Sequence, residues 1–283
     1  MKTRFRIACV QTSPKVNRRA ENLNDMLRAI DMILSDYEDT ELIVFPELAV
    51  SGYEAYPYFT DLAETEEGVS ARTLGQKASQ YGIYIAFGLP LIAADGKLYN
   101  SQLLLGRDGR VLGRYDKVHL FDQEKAVFSP GDRFPVFETD LGRIGLFICY
   151  DAFFPECARI LATQGAVLLV NSTNWEAPYR DDMLRVMTSR ALENVCYLAC
   201  ANRVGKDKKL SFFGCSRILD PSGNALAECP ENEPGYCTAV LSMDTMYAAR
   251  NGYYTMLAER RPELYGVLTD PIDLDRIATR KVL

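Results

Sequence analysis

At 283 residues, 48% hydrophobic and 25% charged, the chain has an ordinary globular composition and the length for a large α/β core. A formal charge of -6, with no long Lys/Arg run, excludes the concentrated basic face that nucleic acids and anionic membrane surfaces require. The nearest thing to such a face, Gly205-Lys206-Asp207-Lys208-Lys209, reads as a solvated loop.

From the start of the chain, the basic stretch Lys2-Thr3-Arg4-Phe5-Arg6 is followed by an apolar run of only Ile7-Ala8-Cys9-Val10, too short for a signal peptide. No segment approaches the ~18 apolar residues of a membrane helix, so a soluble, cytoplasmic protein is expected. Eight cysteines are present, and no pair has C-x-x-C spacing. They are expected to be reduced, buried small hydrophobes rather than a zinc site or a disulfide framework.

Strand-like and helix-like segments then alternate. In chain order, a strand is expected at 6–11, a helix at 20–34, a strand at 42–46, a helix at 70–81, and strands at 83–89 and 99–105. A strand at 144–149 leads into a helix at 155–163, and a strand at 167–171 into a helix at 181–193. Strands at 195–201, 215–219 and 236–241 complete the set. Three turn sequences, Arg107-Asp108-Gly109-Arg110, Asp140-Leu141-Gly142 and Asp220-Pro221-Ser222-Gly223, join strand-like runs as hairpins would. A purely parallel sheet supplies no hairpins. The mixture predicts two mixed β-sheets packed face to face with helices outside, an α-β-β-α sandwich of the α/β class. With no linker or repeat, residues 1–283 read as one domain with a C-terminal extension from about residue 250.

Chemistry concentrates where strands end. In Leu42-Ile43-Val44-Phe45-Pro46-Glu47 an apolar strand delivers a carboxylate at its C-terminal end, where desolvation would raise its pKa and suit it to proton transfer. Taken alone, such a glutamate is as readily a surface or capping group. Lys117, in Tyr115-Asp116-Lys117-Val118-His119-Leu120, would ordinarily point to solvent. Cys149 ends the apolar run 144–149 just before Pro155 opens a helix, a corner where helix N–H groups would lower a thiol pKa. By itself a cysteine there is more often core packing. His119 is the single histidine, so a Cys-His pair with Asp116 nearby stays open while a histidine-rich metal centre does not.

Together these segments resemble the nitrilase superfamily of carbon–nitrogen hydrolases. The matching pieces are Phe45-Pro46-Glu47 with Gly52-Tyr53, Tyr115-Asp116-Lys117-Val118-His119-Leu120, and Ile148-Cys149-Tyr150-Asp151 with Phe154-Pro155-Glu156. Phe128-Ser129-Pro130-Gly131-Asp132, Arg190-Ala191-Leu192-Glu193-Asn194 and Asn202-Arg203-Val204-Gly205 extend the likeness to roughly residues 5–260. Ordered motifs at family spacing are far more specific than any one of them.

The resemblance implies a Glu-Lys-Cys triad of Glu47, Lys117 and Cys149, with Glu124 in Gln123-Glu124-Lys125 as the family's second glutamate. It implies oxyanion stabilisation by Lys117 and the Tyr150 backbone N–H, a scaffold role for His119, and no metal or organic cofactor. Tyr53, Asn174 and Trp175, with Tyr179, would border the substrate. A small amide is the first expectation for the substrate, a nitrile the second and an N-carbamoyl compound the third. Arg180, Arg185 and Arg203 are the arginines available for a substrate carboxylate, though each suits a surface or interface charge better. Family members pair through the region of 181–193, so at least a homodimer is expected. A nucleotide-binding module is disfavoured by the absence of both phosphate-cradling glycine motifs, and an inactive scaffold by the competent residues at all triad positions.

Overall fold

The computed structural model describes residues 2–271; Met1 and residues 272–283, the end of the expected C-terminal extension, lie outside the described residues. The alternation of side chains along the first strands dictates the layering. Strand β1 (Arg4–Gln11) puts Ile7 and Cys9 into one core and Ala8 and Val10 into another, on the opposite face. Helix α1 (Arg19–Asp36) covers that second face with Leu23, Met26, Ile30 and Ile33. Strand β2 (Thr40–Val44) repeats the pattern, Leu42 and Val44 to one side and Ile43 to the other.

A short helix α2 (Phe59–Leu62) and helix α3 (Val69–Tyr81) precede strands β3 (Tyr84–Ile92), β4 (Leu98–Leu105) and β5 (Val111–Asp116). Then follow β6 (Val136–Thr139), β7 (Gly142–Ile148), helix α4 (Pro155–Thr163), β8 (Leu168–Thr173), helix α5 (Arg180–Asn194) and β9 (Tyr197–Asn202). The chain continues through β10 (Val204–Lys206), β11 (Ser211–Phe213), β12 (Arg217–Leu219), β13 (Ala225–Glu228), β14 (Gly235–Ser242) and helix α6 (Met243–Asn251).

Two six-stranded sheets result, ordered β14-β1-β2-β3-β4-β5 and β13-β12-β9-β8-β7-β6. In each, three central strands run parallel (β1, β2, β3 and β7, β8, β9) and antiparallel strands flank them. The inner faces meet in one core, with α1 and α3 outside the first sheet and α4 and α5 outside the second. This is the expected α-β-β-α sandwich. The three expected hairpin turns join β4 to β5, β6 to β7 and β12 to β13.

Three local expectations need correction. Strand β7 stops at Ile148, and Cys149 lies outside it with φ +45°, at the start of a 3-10 turn spanning Cys149–Phe153. Strand β2 likewise ends at Val44, leaving Phe45-Pro46-Glu47 in a turn, because Pro46 has no N–H for a ladder. The segment read as a solvated loop at 205–209 is the tip of a β10–β11 hairpin in which Asp207 turns inward, its carboxylate 2.7 Å from the Arg203 guanidinium and accepting from the N–H groups of Tyr53 and Glu54. Among the described residues no helix is long and apolar enough to cross a membrane.

Candidate active site

The parallel strands bring their C-terminal ends to one edge of the sandwich, the place where α/β sheets leave room for a site. Glu47 follows β2, Cys149 follows β7 and Asn174 follows β8. Each is fixed by its own local device. For Glu47 it is a tight turn laid across β3: Leu48 adopts φ +47°, the Phe45 N–H donates to Ala86, and the Phe45 carbonyl accepts from the Ser172 hydroxyl at 2.7 Å. Gly88 makes that approach possible, since a Cβ there would stand 2.5 Å from Leu48 N and 2.8 Å from Glu47 Cα. Asn174 completes the clamp by donating to the Glu47 carbonyl at 2.9 Å.

Lys117 leaves β5 with its N–H on the Asn100 carbonyl, and its side chain is fully buried. The ammonium lies 2.8 Å from Glu47 Oε1 and 2.8 Å from Glu124 Oε1. Glu124, also fully buried, sits in a 3-10 turn (Asp122–Ala126); its Oε1 accepts from the Tyr53 hydroxyl at 2.8 Å and its Oε2 from the Phe121 N–H at 3.0 Å. Asn100 donates to Glu47 Oε1 at 2.7 Å, while Glu47 Oε2 is buried with no partner. The structure therefore brings Glu47, Lys117 and Glu124 into one ion cluster. The connection from Lys117 to Glu124 is short but sufficient.

Electrostatics follow from burial. Desolvation raises the Glu47 carboxyl pKa, with the neighbouring Glu124 carboxylate adding to the rise and Lys117 opposing it. Burial alone would lower the Lys117 pKa, but Glu124 and Glu47 outweigh it and hold the ammonium well above the usual lysine range. The Cys149 thiol is pushed up by burial and then by the Glu47 carboxylate, against the pull of Lys117 and Thr173. A thiol pKa lowered by helix N–H groups is thus not what the fold provides. The 3-10 turn separates Cys149 from α4, and the nearest strong charges are the triad's own. All eight cysteines are free thiols; seven are buried and Cys149 alone is partly open.

A cavity of about 480 Å³ opens onto Cys149. The rings of Tyr53, Phe121, Tyr150, Phe153, Trp175 and Tyr179 line it, together with Asn174 and Glu176. Tyr53, Asn174 and Trp175, expected from sequence to border the substrate, all line this cavity. Asn174 Oδ1 is buried and unpartnered. Tyr150 follows Cys149 at the head of the 3-10 turn, where the first N–H groups have no partner within the turn.

His119 turns elsewhere. Its Nδ1 lies 2.9 Å from Asp151 Oδ1 and 3.6 Å from Cys157 Sγ, and its ring stacks on Phe154 at 3.6 Å. These ligand-type atoms of His119, Asp151 and Cys157 lie within 4.8 Å of one another. Asp151 is already engaged, accepting also from the Tyr115 hydroxyl and the N–H groups of His119 and Ile148. It ties the segment after Lys117 to the strand end before Cys149, a structural task. Nor do the three arginines reach the cavity. Arg180 pairs with Asp181 and Glu231, Arg185 with Asp182, and Arg203 with Asp207 and the Pro14 carbonyl.

Residues 6–251 match the family model described as carbon-nitrogen hydrolase. The chain belongs to the carbon–nitrogen hydrolase family. This hydrolase is 43% identical over 268 residues to a probable nitrilase of Schizosaccharomyces pombe, covering 94% of this chain and 98% of the relative. It is 36% identical over 271 residues to an (R)-stereoselective amidase of a Pseudomonas species, covering 95% and 96% of the two chains. Among solved structures it resembles an amidase variant from Nesterenkonia sp. AN1 at TM-score 0.80 and 29% identity, with 92% and 95% of the chains covered; that structure carries the acetamide moiety of fluoroacetamide on its active site cysteine. The hydrolase is thus an enzyme acting on C–N bonds, within the nitrilase superfamily.

Sequence reasoning missed Asn100, Glu176 and several cavity rings. Asn100 had a visible signal, since Asn100-Ser101-Gln102 interrupts the apolar run of β4 with polar side chains that are all fully buried. Glu176 had none beyond its place after Trp175.

Proposed function

We propose that the enzyme hydrolyses the amide of a small carboxylic acid through a thioester on Cys149. The observation that carries this reading is the Lys117 ammonium held 2.8 Å from two buried carboxylates, a cluster joined to the cavity over Cys149 by Tyr53 and Asn174, which line that cavity and bond Glu124 and the Glu47 carbonyl. With a thiol pKa raised by burial, attack requires a base, and Glu47 Oε2 is a buried acceptor with no other partner. Glu47 takes the thiol proton as Sγ bonds to the carbonyl carbon. Lys117 and the Tyr150 N–H stabilise the oxyanion, and Glu124, positioned by Tyr53 and Phe121, fixes Lys117. Collapse breaks the C–N bond while Glu47 returns its proton to the departing nitrogen. Water then gives a proton to Glu47, attacks the thioester and releases the acid and the thiol.

Asn174 Oδ1 favours an amide over a nitrile, because an amide nitrogen has a proton to donate to that unpartnered acceptor and a nitrile has none. The test is ammonia release from a panel of amides, nitriles and carbamoyl compounds, with Cys149→Ala as control. Amide turnover that vanishes in the variant supports the reading. Inactivity across the panel favours a scaffold without catalysis, and turnover of nitriles alone favours the nitrilase alternative.

A further inference from the structure

We propose that the acyl pocket selects amides whose acyl group is aromatic and either neutral or positively charged, and rejects acyl groups bearing a second carboxylate, with Glu176 deciding between the charges. The inference deepens the amidase reading and rests on it for turnover, though not for binding.

The cavity supplies the chemistry directly. Its volume of about 480 Å³ accommodates an aryl acid, and rings from Tyr53, Phe121, Tyr150, Phe153 and Trp175 give it an apolar wall that also attracts cations through their faces. Glu176 is the one ionisable carboxylate on that wall, and no arginine or lysine stands among the lining residues. Its place is set by the backbone: the extended segment after Trp175 bridges to Phe212 of β11. Burial raises the Glu176 carboxyl pKa, and Asp122 and Glu54, whose carboxylates add to that rise, also add to the negative potential there. The groups that could answer a second carboxylate are committed elsewhere. Lys117 is shared by Glu47 and Glu124, Arg180 is paired with Asp181 and Glu231, and Arg203 is buried against Asp207. A carboxylate entering this pocket would lose water against rings, gain no cationic partner and face Glu176. An ammonium would meet both rings and Glu176.

The test uses phenylacetamides of three charges, carrying para-ethyl, para-carboxymethyl or para-aminomethyl groups, with the Glu176 variants separating charge from size. For the full chain at neutral pH, kcat/KM for the carboxymethyl compound is expected at least about tenfold below the ethyl compound, with the aminomethyl compound equal to or above it. Normalised to the ethyl compound within each variant, Glu176→Gln narrows the gap between the charged pair and Glu176→Arg reverses it. Equal turnover of the ethyl and carboxymethyl compounds, or a gap that Glu176→Gln leaves intact, overturns the assignment. Calorimetric binding of the same amides to Cys149→Ala separates the two readings. The predicted order of Kd without turnover by the unmodified enzyme sinks amide hydrolysis but upholds the pocket, whereas binding without that order, or no binding, overturns the pocket.

Discussion

At the scale of residues, the site is governed by three charges that share one buried volume. Two carboxylates around one ammonium leave a net negative cluster, so one carboxyl must be the easier to protonate, and Glu47 has the raised pKa together with the unpartnered oxygen. The sign of the pH dependence follows. Glu47 serves as base only when ionised, so kcat/KM falls as the pH drops through its raised pKa, placing the acid limb above the ~4.3 of a free glutamate. Lys117, held protonated well above the usual lysine range, contributes no alkaline loss in the range where ordinary lysines titrate. A pH profile of kcat/KM with the acid limb in the unperturbed glutamate range would count against Glu47. Breaking the cluster should also cost stability: removal of one partner from a buried ion pair destabilises by about 3–5 kcal/mol, so Lys117→Met should lower the denaturation midpoint as well as activity.

Among secondary-structure elements, precision comes from contacts between strand ends. Ser172 and Asn174, at and beyond the end of β8, hold the Glu47 turn, while Asn100 on β4 anchors both the Lys117 backbone and the Glu47 carboxylate. Gly88 lets that turn lie against β3. Gly88→Ala should therefore push Glu47 away from Lys117 and lower kcat by more than it raises KM, at a stability cost of about 1–3 kcal/mol for overpacking. Kinetics beside a urea melt would check this; unchanged kcat would mean that the turn yields without moving the carboxylate. The places of Glu47 and Cys149 were legible as the ends of apolar runs, but the grouping of Glu47, Lys117 and Cys149 was legible only through the motifs of the family resemblance, since each alone reads as a surface charge or a core thiol. Glu124 was legible only through the family resemblance, since a carboxylate in a short polar loop has no signature of burial. Asn100 depends on the β3–β4 register, and the inward turn of Asp207 on a hairpin among lysines, neither of which local pattern encodes. The Cys149 environment was misread because a strand leading to a helix suggested helix N–H groups near the thiol, whereas an intervening 3-10 turn leaves Glu47 as the neighbour that matters.

For the whole molecule, the layer order was legible from hairpins mixed with crossovers; the first sheet supplies the charges Glu47, Lys117 and Glu124, and the second supplies Cys149 and Asn174. We propose, as from sequence, that the enzyme forms at least a homodimer through the region of α5. Exposed apolar side chains support this: Phe153 and Ile160 lie beside α5 on the 3-10 turn and α4, and Leu264, Val267 and Leu268 on the C-terminal segment. Light scattering at micromolar concentration should give at least twice the mass of one chain, and a monomer mass would contradict the proposal.

Convergence of a sulfur, a carboxyl and an ammonium on one carbonyl carbon is tested most directly by intact mass spectrometry of the enzyme quenched during turnover of an amide. The account predicts an increment equal to the acyl group, localised to Cys149 and absent from Cys149→Ala. An acyl group on any other residue, or undiminished hydrolysis by Cys149→Ala, would contradict it.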